Sequence, residues 1–566
     1  MSKQEKTILS AVIISAFILP GFNSFYARAD AVGERHNFFV DRQYDVFSRT
    51  SVPATLIVAG QHSHIYIEDA VLERYGGTAN QSLMSAVSKL ASDFDSTIYP
   101  ANVDFWGSEP NPGIDNDPHV TILFEQLMNN TGGYTDTSNL YLSAPGRPSN
   151  EREMFFVSSG ALIAGRSAVF MAHEFEHLIS ANQKILIHNV AEDIWLDELR
   201  AQYSVTLAGY NSPFTGSDLQ SRKNDFLRNP VDSLTEWKGR TNDYAPVTLF
   251  GHYLVGRYGP AILKDTIRDR LTGIDSINAW LAGHKYQERF VDVFGDWAIA
   301  NYLNAPGDLR FGYAQPDLAD VKVSPIDAQI LRYPLSQYSF SLKPWQAEWY
   351  KFISASSLPP EAGQNLRVGW TSGPISVMLV DDAGKVQEIS NGEVIVSPQR
   401  TFTLIPYYHP YGSSAGQSEP SVDVLLNMEY TNEPPVPAVI PDGSLIRRKE
   451  ESDIYVVEGK YKRYLAPGVI SLYGHLDPTK AFQLEPVRFD SYLSTNYVRY
   501  INEQKVYAVW PPGEGSSGAG IASDGTKHWL HMPAQTFSET GRDWSSIFII
   551  NDLELNFYKT SSDITK

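Results

Sequence analysis

Cysteine is absent from the 566-residue chain. Its absence excludes disulfide bonds, thiolate catalysis and any metal site built on sulfur. A metal ion in this protein must therefore be held by histidine, aspartate or glutamate side chains. Hydrophobic residues make up 42% of the chain, which is enough for packed cores. The length is too great for one core and predicts roughly two to four domains.

Positive charge is scarce. The chain has 46 lysine and arginine residues against 65 aspartate and glutamate residues, a formal net charge of −19. This balance argues against nucleic acid or an anionic membrane surface as a partner. An acidic balance is also common in secreted proteins, so it does not specify a substrate.

Long hydrophobic runs are missing after the N-terminal segment. Residues 1–29 contain Lys3 and Lys6, an apolar stretch from Ile8 to Leu19, and the small-x-small sequence Ala27-Arg28-Ala29. This pattern is typical of a bacterial secretory signal peptide, and the apolar stretch is short for a bilayer span. An uncleaved N-terminal anchor is the alternative interpretation. We expect export and a secreted, extracellular protein.

Residues 173–177 read His-Glu-Phe-Glu-His, in a proline-free segment between Gly165 and Asn182 that favours a helix. Residues four apart lie on the same helix face, so both imidazoles can reach one metal ion. Glu174 then lies beside the ion, where a base acting on water is needed. The alternative is a structural helix whose histidines are only hydrogen-bonded. We interpret the motif as a zinc site.

A catalytic zinc ion has three protein ligands and one open position. The extended H-E-x-x-H-x-x-G-x-x-H pattern requires glycine and histidine where this chain has Ser180 and Gln183, which excludes the metzincin arrangement. The gluzincin arrangement takes a glutamate from a following helix. Glu198, in Trp195-Leu196-Asp197-Glu198, is the candidate. The alternative for Glu198, a solvated acidic residue, is disfavoured by its apolar neighbours.

The two motifs together resemble the hyicolysin-type metallopeptidases of the gluzincin clan. The resemblance rests on His-Glu-Phe-Glu-His-Leu-Ile at 173–179 and Trp-Leu-Asp-Glu-Leu-Arg-Ala-Gln-Tyr at 195–203, and it extends over roughly residues 40–305. It implies one catalytic Zn²⁺ bound by His173, His177 and Glu198, with Glu174 as catalytic base. Asp197 stands where asparagine is usual in this family. Gln202 stands where the thermolysin branch has an aspartate that orients a ligating histidine.

The oxyanion formed during peptide hydrolysis needs a hydrogen-bond donor besides the metal ion. Tyr244, in Asp243-Tyr244-Ala245-Pro246, is our first candidate and His252 is the second. A packing role for Tyr244 is equally compatible with the pattern. A structural Ca²⁺ ion finds no support, because Asp115-Asn116-Asp117 is typical of an Asx turn and lacks the spaced ligands of a calcium loop.

The pattern of elements predicts a multidomain fold. We expect a signal peptide at residues 1–29, an α+β zincin-like catalytic domain at 30–320, and a small β-sandwich at 324–430. A Pro-rich linker at 431–441 precedes a β-rich module at 442–566 with an internal duplication. In that duplication, two sets of three strand-like segments follow one another, at 445–465 and at 497–530.

These observations predict a secreted zinc endopeptidase that cleaves extracellular proteins or peptides. Nucleic acid is not an expected partner, and we expect a monomer. The C-terminal aromatics could contact cell wall or glycan, although a packed β core explains them better. The first alternative is a non-catalytic surface or adhesion protein that retains a peptidase fold. The second is an aminopeptidase, for which no G-x-M-E-N-type motif is visible.

Overall fold

A computed structural model of the chain describes residues 30–330, 335–354, 365–370, 375–389, 393–396, 401–410, 421–431, 440, 442–448, 451–484, 486–500, 503–512 and 525–565. The predicted signal peptide and most of the predicted linker at 431–441 lie outside the described residues. Among the helices that are described, none has both the length and the apolar character needed to cross a bilayer.

The first part of the chain builds a six-stranded sheet in the order β1-β2-β3-β4-β6-β5. Its strands are β1 (Arg35–Phe39), β2 (Ser51–Ala59), β3 (Ser63–Glu68), β4 (Val120–Glu125), β5 (Gly133–Tyr134) and β6 (Met154–Ser158). β3, β4 and β6 run parallel, and Ile65, Ile122 and Phe155 lie side by side across them. β5 is an antiparallel edge strand with Tyr134 opposite Phe156. Every residue of β3 and β4 is buried, as expected for parallel strands covered on both faces.

Helices follow and cover this sheet. They are α1 (Asp69–Arg74), α2 (Gln81–Asp93), α3 (Tyr99–Trp106), α4 (Ser159–Ala164), α5 (Ser167–Ser180), α6 (Ile194–Leu207), α7 (Asp218–Arg228), α8 (Tyr244–Tyr258), α9 (Ala261–Thr266), α10 (Gly273–Gly283) and α11 (Phe290–Leu303). Two π-helical turns, Phe94–Ile98 and Ala181–Ile187, continue α2 and α5. Short 3₁₀ turns lie at Gly77–Ala79, Thr137–Leu140 and Pro316–Leu318.

Helix α5 lies in the middle of the largest hydrophobic core. Met171, Phe175, Leu178 and Ile179 on this helix are buried in one cluster with residues of β3, β4 and β6. Burial of a side chain of this size contributes about 1.5–3 kcal/mol. The same cluster includes Trp195 on α6, so the core fixes α5 and α6 against each other.

In the second part, the residues that the structure describes form two sheets, ordered β13-β10-β15-β8 and β12-β11-β14-β9-β7. The strands are β7 (Ile326–Ile330), β8 (Leu335–Leu342), β9 (Tyr350–Ser354), β10 (Asn365–Trp370), β11 (Ile375–Asp381), β12 (Val386–Ile389), β13 (Glu393–Val396), β14 (Phe402–Tyr408) and β15 (Val422–Thr431). Leu366 and Leu426 from one sheet share a core with Phe352 and Leu404 from the other. The two sheets therefore pack face to face.

The last part contains two five-stranded sheets, ordered β19-β16-β17-β18-β20 and β24-β21-β22-β23-β25. The strands are β16 (Leu445–Arg448), β17 (Ile454–Glu458), β18 (Tyr461–Leu465), β19 (Phe482–Leu484), β20 (Leu493–Ser494), β21 (Tyr497–Tyr500), β22 (Val506–Trp510), β23 (Thr526–Trp529), β24 (Ile547–Ile550) and β25 (Lys559–Thr560). Helices α12 (Pro467–Ile470), α13 (Pro486–Ser491), α14 (Ala534–Glu539) and α15 (Asp552–Phe557), with 3₁₀ turns at Pro478–Lys480 and Trp544–Ser546, connect them.

The two sheets have the same strand order and the same directions. In each, the outer strands are parallel to their neighbours, as Ile446 beside Phe482 and Val498 beside Phe548 show. A buried ion pair joins β18 of the first sheet to α15, which connects strands of the second, because the two terminal nitrogens of the Arg463 guanidinium donate to Glu554 at 2.6 and 3.2 Å. The two sheets also share one hydrophobic core.

Helix α11 contacts both β-rich parts. Trp349 donates from Nε1 to the carbonyl oxygen of Ala298 at 2.9 Å. At the other end of the helix, Arg289 donates to the Glu458 carboxylate at 2.8 Å and to the Ile547 carbonyl oxygen at 2.9 Å. The helical part, the sandwich and the C-terminal sheets are thus in direct contact.

Candidate metal centre

Three side chains from α5 and α6 converge on one point. His173 Nε2 and His177 Nε2 are 3.2 Å apart, and the carboxylate oxygen Oε2 of Glu198 lies 3.3 Å from the first and 3.7 Å from the second. Donors at about 2.1 Å from a tetrahedral zinc ion lie about 3.4 Å from one another. The observed spacing fits such an ion without rearrangement of the three side chains.

The two imidazole rings have an orientation that suits a shared ion. Their planes are 82° apart, so the in-plane lone pairs of both Nε2 atoms point into the same space. His177 donates from Nδ1 to the Asp197 carboxylate at 2.8 Å, which leaves Nε2 unprotonated in the neutral ring. Glu198 Oε2 is buried and has no hydrogen-bond partner among the described residues. These are the donor set and the geometry that a divalent cation requires.

The electrostatics of the centre are those of a cation site. Burial alone would raise the pKa of Glu198, but the neighbouring His177 and His173 rings lower it to about 2. Burial lowers the pKa of His177, yet the Asp197 and Glu198 carboxylates outweigh burial and hold that pKa well above its usual range. Both shifts show that this pocket favours positive charge.

Other potential ligand groups are present among the described residues. They are His64–Asp117–His119, Asp30–Glu34–His36 and Glu176–His177–Asp197, the last of which shares His177 with the centre. The His64 and His119 rings are stacked, with their centroids 4.2 Å apart and their planes 19° apart. Because an ion must lie in the plane of each imidazole that binds it, two nearly parallel stacked rings do not converge on one ion. Of the two described groups that contain two histidines, the centre at His173 is thus the one whose rings are not stacked.

Glu174 lies next to the centre on the side of strand β5. The Thr135 hydroxyl lies 3.1 Å from Glu174 Oε2 and 3.0 Å from the Glu174 carbonyl oxygen, and it can donate to either. A Cβ atom on Gly133 would lie 2.8 Å from Glu174 Cγ, and one on Gly132 would lie 2.1 Å from the Phe170 ring. Glycine at 132 and 133 thus permits β5 to approach α5. Burial raises the pKa of Glu174, although His173 and His177 oppose the shift.

Tyr244 lies at the start of α8, with its ring centroid 6.2 Å from that of His173. Trp237 contacts its ring edge-on at 4.9 Å, and the Arg222 guanidinium lies over its face at 4.7 Å. Burial, followed by the charges of Glu198 and Glu174, raises the pKa of Tyr244, so its hydroxyl keeps its proton as a donor. His252, the second candidate, instead packs against Tyr203 and lies 3.2 Å from the Thr206 hydroxyl.

Several residues of the centre were not found by sequence reasoning. They are Thr135 beside the base, Asp197 and Ser180 behind His177, Thr248 behind Gln202, and Tyr44. Ser180 donates to the same Asp197 carboxylate that accepts from His177. Tyr44 stacks on Tyr134. Burial is the main cause of the raised pKa of Tyr44, the charge of Asp41 is the next, and the charges of Glu174 and Glu198 add to the shift. The Gly132-Gly133 pair was the one local signal for a close approach of two chain segments.

The comparisons with known proteins give one relative by sequence. The chain is 26% identical over 238 residues to the neutral metalloprotease ShpI of Staphylococcus hyicus. The matched region covers 38% of this chain and 50% of that protein. The chain thus spans about half the length of the relative it matches. The similarity indicates a relation to metallopeptidases. No protein-family model matches the chain.

Solved structures give only remote likenesses. PliG of Salmonella Typhimurium, a periplasmic inhibitor of g-type lysozyme, matches with a TM-score of 0.14 and 11% identity over 19% of this chain and 98% of PliG. A mutant of the corresponding Escherichia coli protein matches with a TM-score of 0.14 and 12% identity over 19% of this chain and 96% of that protein. TM-scores of this size do not indicate a shared architecture.

Proposed function

We propose that the chain is a secreted zinc-dependent endopeptidase of the hyicolysin type, which hydrolyses peptide bonds of extracellular proteins. The observation that carries the proposal is the convergence of His173 Nε2, His177 Nε2 and Glu198 Oε2 within 3.2–3.7 Å of one another. Two imidazoles and one carboxylate, with space left for solvent, form the donor set of catalytic zinc sites in metalloproteases.

His173, His177 and Glu198 would hold the ion, and zinc in this set would supply Lewis acidity and make water ionisable near neutral pH. Glu174 accepts the proton of the attacking water and passes it to the leaving amine. The Thr135 hydroxyl, 3.1 Å from Glu174 Oε2, holds that carboxylate in place. The raised pKa of Glu174 suits a group that must both take up and release a proton.

Tyr244 donates its hydroxyl proton in a hydrogen bond to the oxyanion that develops on the scissile carbonyl. Its ring is fixed between Trp237 and Arg222, so the hydroxyl is oriented before substrate arrives. A phenol that keeps its proton at all working pH values serves as such a donor. His252 is not assigned this role, because its ring packs against Tyr203 and its Nε2 lies 3.2 Å from the Thr206 hydroxyl.

The proposed organisation follows the boundaries expected from sequence. Residues 1–29 are a signal peptide, 30–320 a zincin-like catalytic domain, 324–430 an accessory β-sandwich, 431–441 a linker and 442–566 a duplicated module. The equal strand order of the two C-terminal sheets supports the duplication. The similarity to a neutral metalloprotease supports the catalytic assignment for the part of the chain it covers. We further propose a monomer with protein or peptide substrates, whose C-terminal module can contact cell wall or glycan.

The test is zinc content together with casein hydrolysis, measured with and without a chelator, on the protein and on Glu174→Gln. We expect one zinc ion per chain, and activity that disappears with chelation and returns with zinc. Glu174→Gln should keep the ion and lose turnover by at least about 10²-fold, because only the base is removed. Activity that survives the chelator excludes a zinc peptidase. A zinc-loaded chain without any hydrolysis points instead to a non-catalytic surface protein.

A further inference from the structure

Gln202 lies behind the metal centre, one turn after Glu198 on α6. It is 4% exposed, and its Nε2 atom lies 3.5 Å from His173 Nδ1. Its Oε1 atom lies 3.3 Å from the hydroxyl of Thr248, which is 3% exposed and sits on α8. Gln202 is therefore the side chain that connects a ligand ring to the helix carrying Tyr244.

The hydrogen-bond donors and acceptors in this series of contacts are limited by the number of protons on each group. The Thr248 hydroxyl has one proton and two acceptors within reach, the Tyr244 carbonyl oxygen at 2.7 Å and Gln202 Oε1 at 3.3 Å. The Tyr244 oxygen is the nearer acceptor, and with the proton on that side the hydroxyl can only accept from Gln202. At the other end, an imidazole that binds a metal ion through Nε2 carries its proton on Nδ1. His173 thus offers a donor to Gln202, and Thr248 offers an acceptor.

A carboxamide satisfies both neighbours in one orientation only. With Nε2 towards His173 and Oε1 towards Thr248, donor faces donor and acceptor faces acceptor. Rotation of the amide by 180° exchanges two groups of nearly equal size and makes both contacts hydrogen bonds. Buried polar groups are rarely left unpaired, because burial removes their hydrogen bonds to water without a replacement.

We propose that Gln202 is the positioning residue for His173: in the metal-loaded protein its Oε1 accepts from His173 Nδ1 and its Nε2 donates to Thr248. One line of hydrogen bonds then runs from the ligand ring through Gln202 and Thr248 to the Tyr244 carbonyl oxygen. This inference rests on the proposed function. It extends that function by joining the metal ligand to the first turn of the helix that supplies the oxyanion donor.

The charges around the centre explain why an amide fits this position. Asp197, Glu198, Glu174 and Glu176 already place four carboxyl groups in one buried region. A carboxylate at position 202 would add a fifth negative charge to this region, whereas an amide accepts a hydrogen bond without adding charge. His177 is oriented by a charged acceptor, Asp197, and His173 by a neutral one.

The experiment compares zinc affinity, by chelator competition, in the full-length protein and in Gln202→Met, Gln202→Glu, Thr248→Val and Thr248→Ser. Loss of an outer hydrogen bond to a ligand typically weakens metal binding about 10–100-fold. We expect this loss in Gln202→Met and a loss of only a few-fold in Thr248→Val. Thr248→Ser, which keeps the hydroxyl, should lose less zinc affinity than Thr248→Val.

Gln202→Glu distinguishes the two amide orientations, because a carboxylate can only accept. If His173 donates to position 202, this variant keeps zinc affinity within a few-fold of the unaltered protein. If Gln202 instead donated to His173, Gln202→Glu would lose affinity at least as strongly as Gln202→Met, and the proposal would be wrong. It would also be wrong if Gln202→Met bound zinc normally. Failure of the unaltered protein to bind zinc would contradict the proposed function itself, a separate result.

Discussion

Glu125 at the end of β4 is a fully buried carboxyl group at the sheet. Burial is the main cause of its raised pKa, which reaches about 8, and Asp45 and Glu68 add to the shift while Tyr134 opposes it. The folded protein therefore keeps this carboxyl protonated in neutral solution. The unfolded chain, with a pKa near its ordinary value, releases the proton.

This shift predicts a specific dependence of stability on pH. Between the ordinary pKa of 4.5 and the folded value of about 8, stability falls as pH rises, by about 1.4 kcal/mol per unit. Glu125→Gln should remove this component, so that the variant matches the unaltered protein at pH 4 and is about 3 kcal/mol more stable at pH 7. Urea midpoints of both proteins at pH 4, 6 and 8 measure the difference. An equal difference at all three values would contradict the assignment.

At single residues, the sequence predicted which side chains come together better than it predicted their surroundings. His173 and His177 share a face because of the helix period, and Glu198, expected from the gluzincin arrangement, meets them from α6. The acceptor behind His177 did not follow from spacing. Asp197 precedes Glu198 directly, and only the packing of α6 against α5 turns its carboxylate to the His177 ring.

At the scale of elements, α5 and α6 are held by a buried cluster of charges defined by Lys184, Glu192 and Arg200. Arg200 donates to Glu192 at 2.7 Å, and Lys184 lies 3.4 Å from the same oxygen. Lys184 also donates to the carbonyl oxygens of Thr266 and Leu271, at 2.6 and 2.7 Å. The cluster thus fixes the π-helical turn after α5, the start of α6 and the connection between α9 and α10.

Lys184→Met is expected to destabilise the helical part by about 3–5 kcal/mol, because it removes one of the two cations beside the buried Glu192 carboxylate and leaves several carbonyl groups without a donor. Lys89→Met is the matched control: Lys89 pairs with Asp93 on α2, and its side chain is 73% exposed. It should change stability by no more than about 0.5 kcal/mol. Thermal unfolding of the two metal-free variants compares them. Equal losses of thermal stability in the two variants would show that the cluster of Lys184, Glu192 and Arg200 does not stabilise the helical part.

Long elements were predictable and short ones were not. Apolar residues at helical spacing (Leu83, Val87, Leu90 and Phe94) predict a helix near 81–94, which is observed as Gln81–Asp93. The apolar run at 119–124 predicts a buried strand, which is observed as Val120–Glu125. Both have an apolar pattern long enough to define a period. β5 consists of Gly133–Tyr134 alone, too short for any period. The π-helical turn at Ala181–Ile187 depends on the contacts of Lys184, which lie about 80 residues away in the chain.

At the scale of the whole molecule, the chain is divided among separate hydrophobic cores. The core around α5 extends to Trp345 and Tyr407 of the sandwich, whereas the C-terminal sheets have a core of their own. Separate cores unfold in separate steps, so one free energy does not describe the whole chain. A substitution in the core of the C-terminal sheets should therefore change the unfolding of those sheets and leave metal binding at the His173 centre unchanged.

Arg463→Met tests this independence. The change leaves Glu554 buried with only the Tyr473 and Tyr558 hydroxyls as partners, which should cost the C-terminal step about 3–5 kcal/mol. Zinc affinity and hydrolysis of a short peptide should stay unchanged. Calorimetry resolves the steps, and Arg463→Met combined with Glu554→Gln should recover part of the loss. Coupled loss of zinc would show that the parts do not unfold independently.

The Arg463–Glu554 pair limits how the C-terminal region can be reused. Each partner is nearly inaccessible to solvent; Arg463 lies on β18 of the first sheet, and Glu554 lies on α15, which connects two strands of the second. Either sheet excised alone would keep one buried charge without its partner. Grafting onto an unrelated carrier should therefore succeed with the stretch from 442 to 565 and fail with either sheet taken singly.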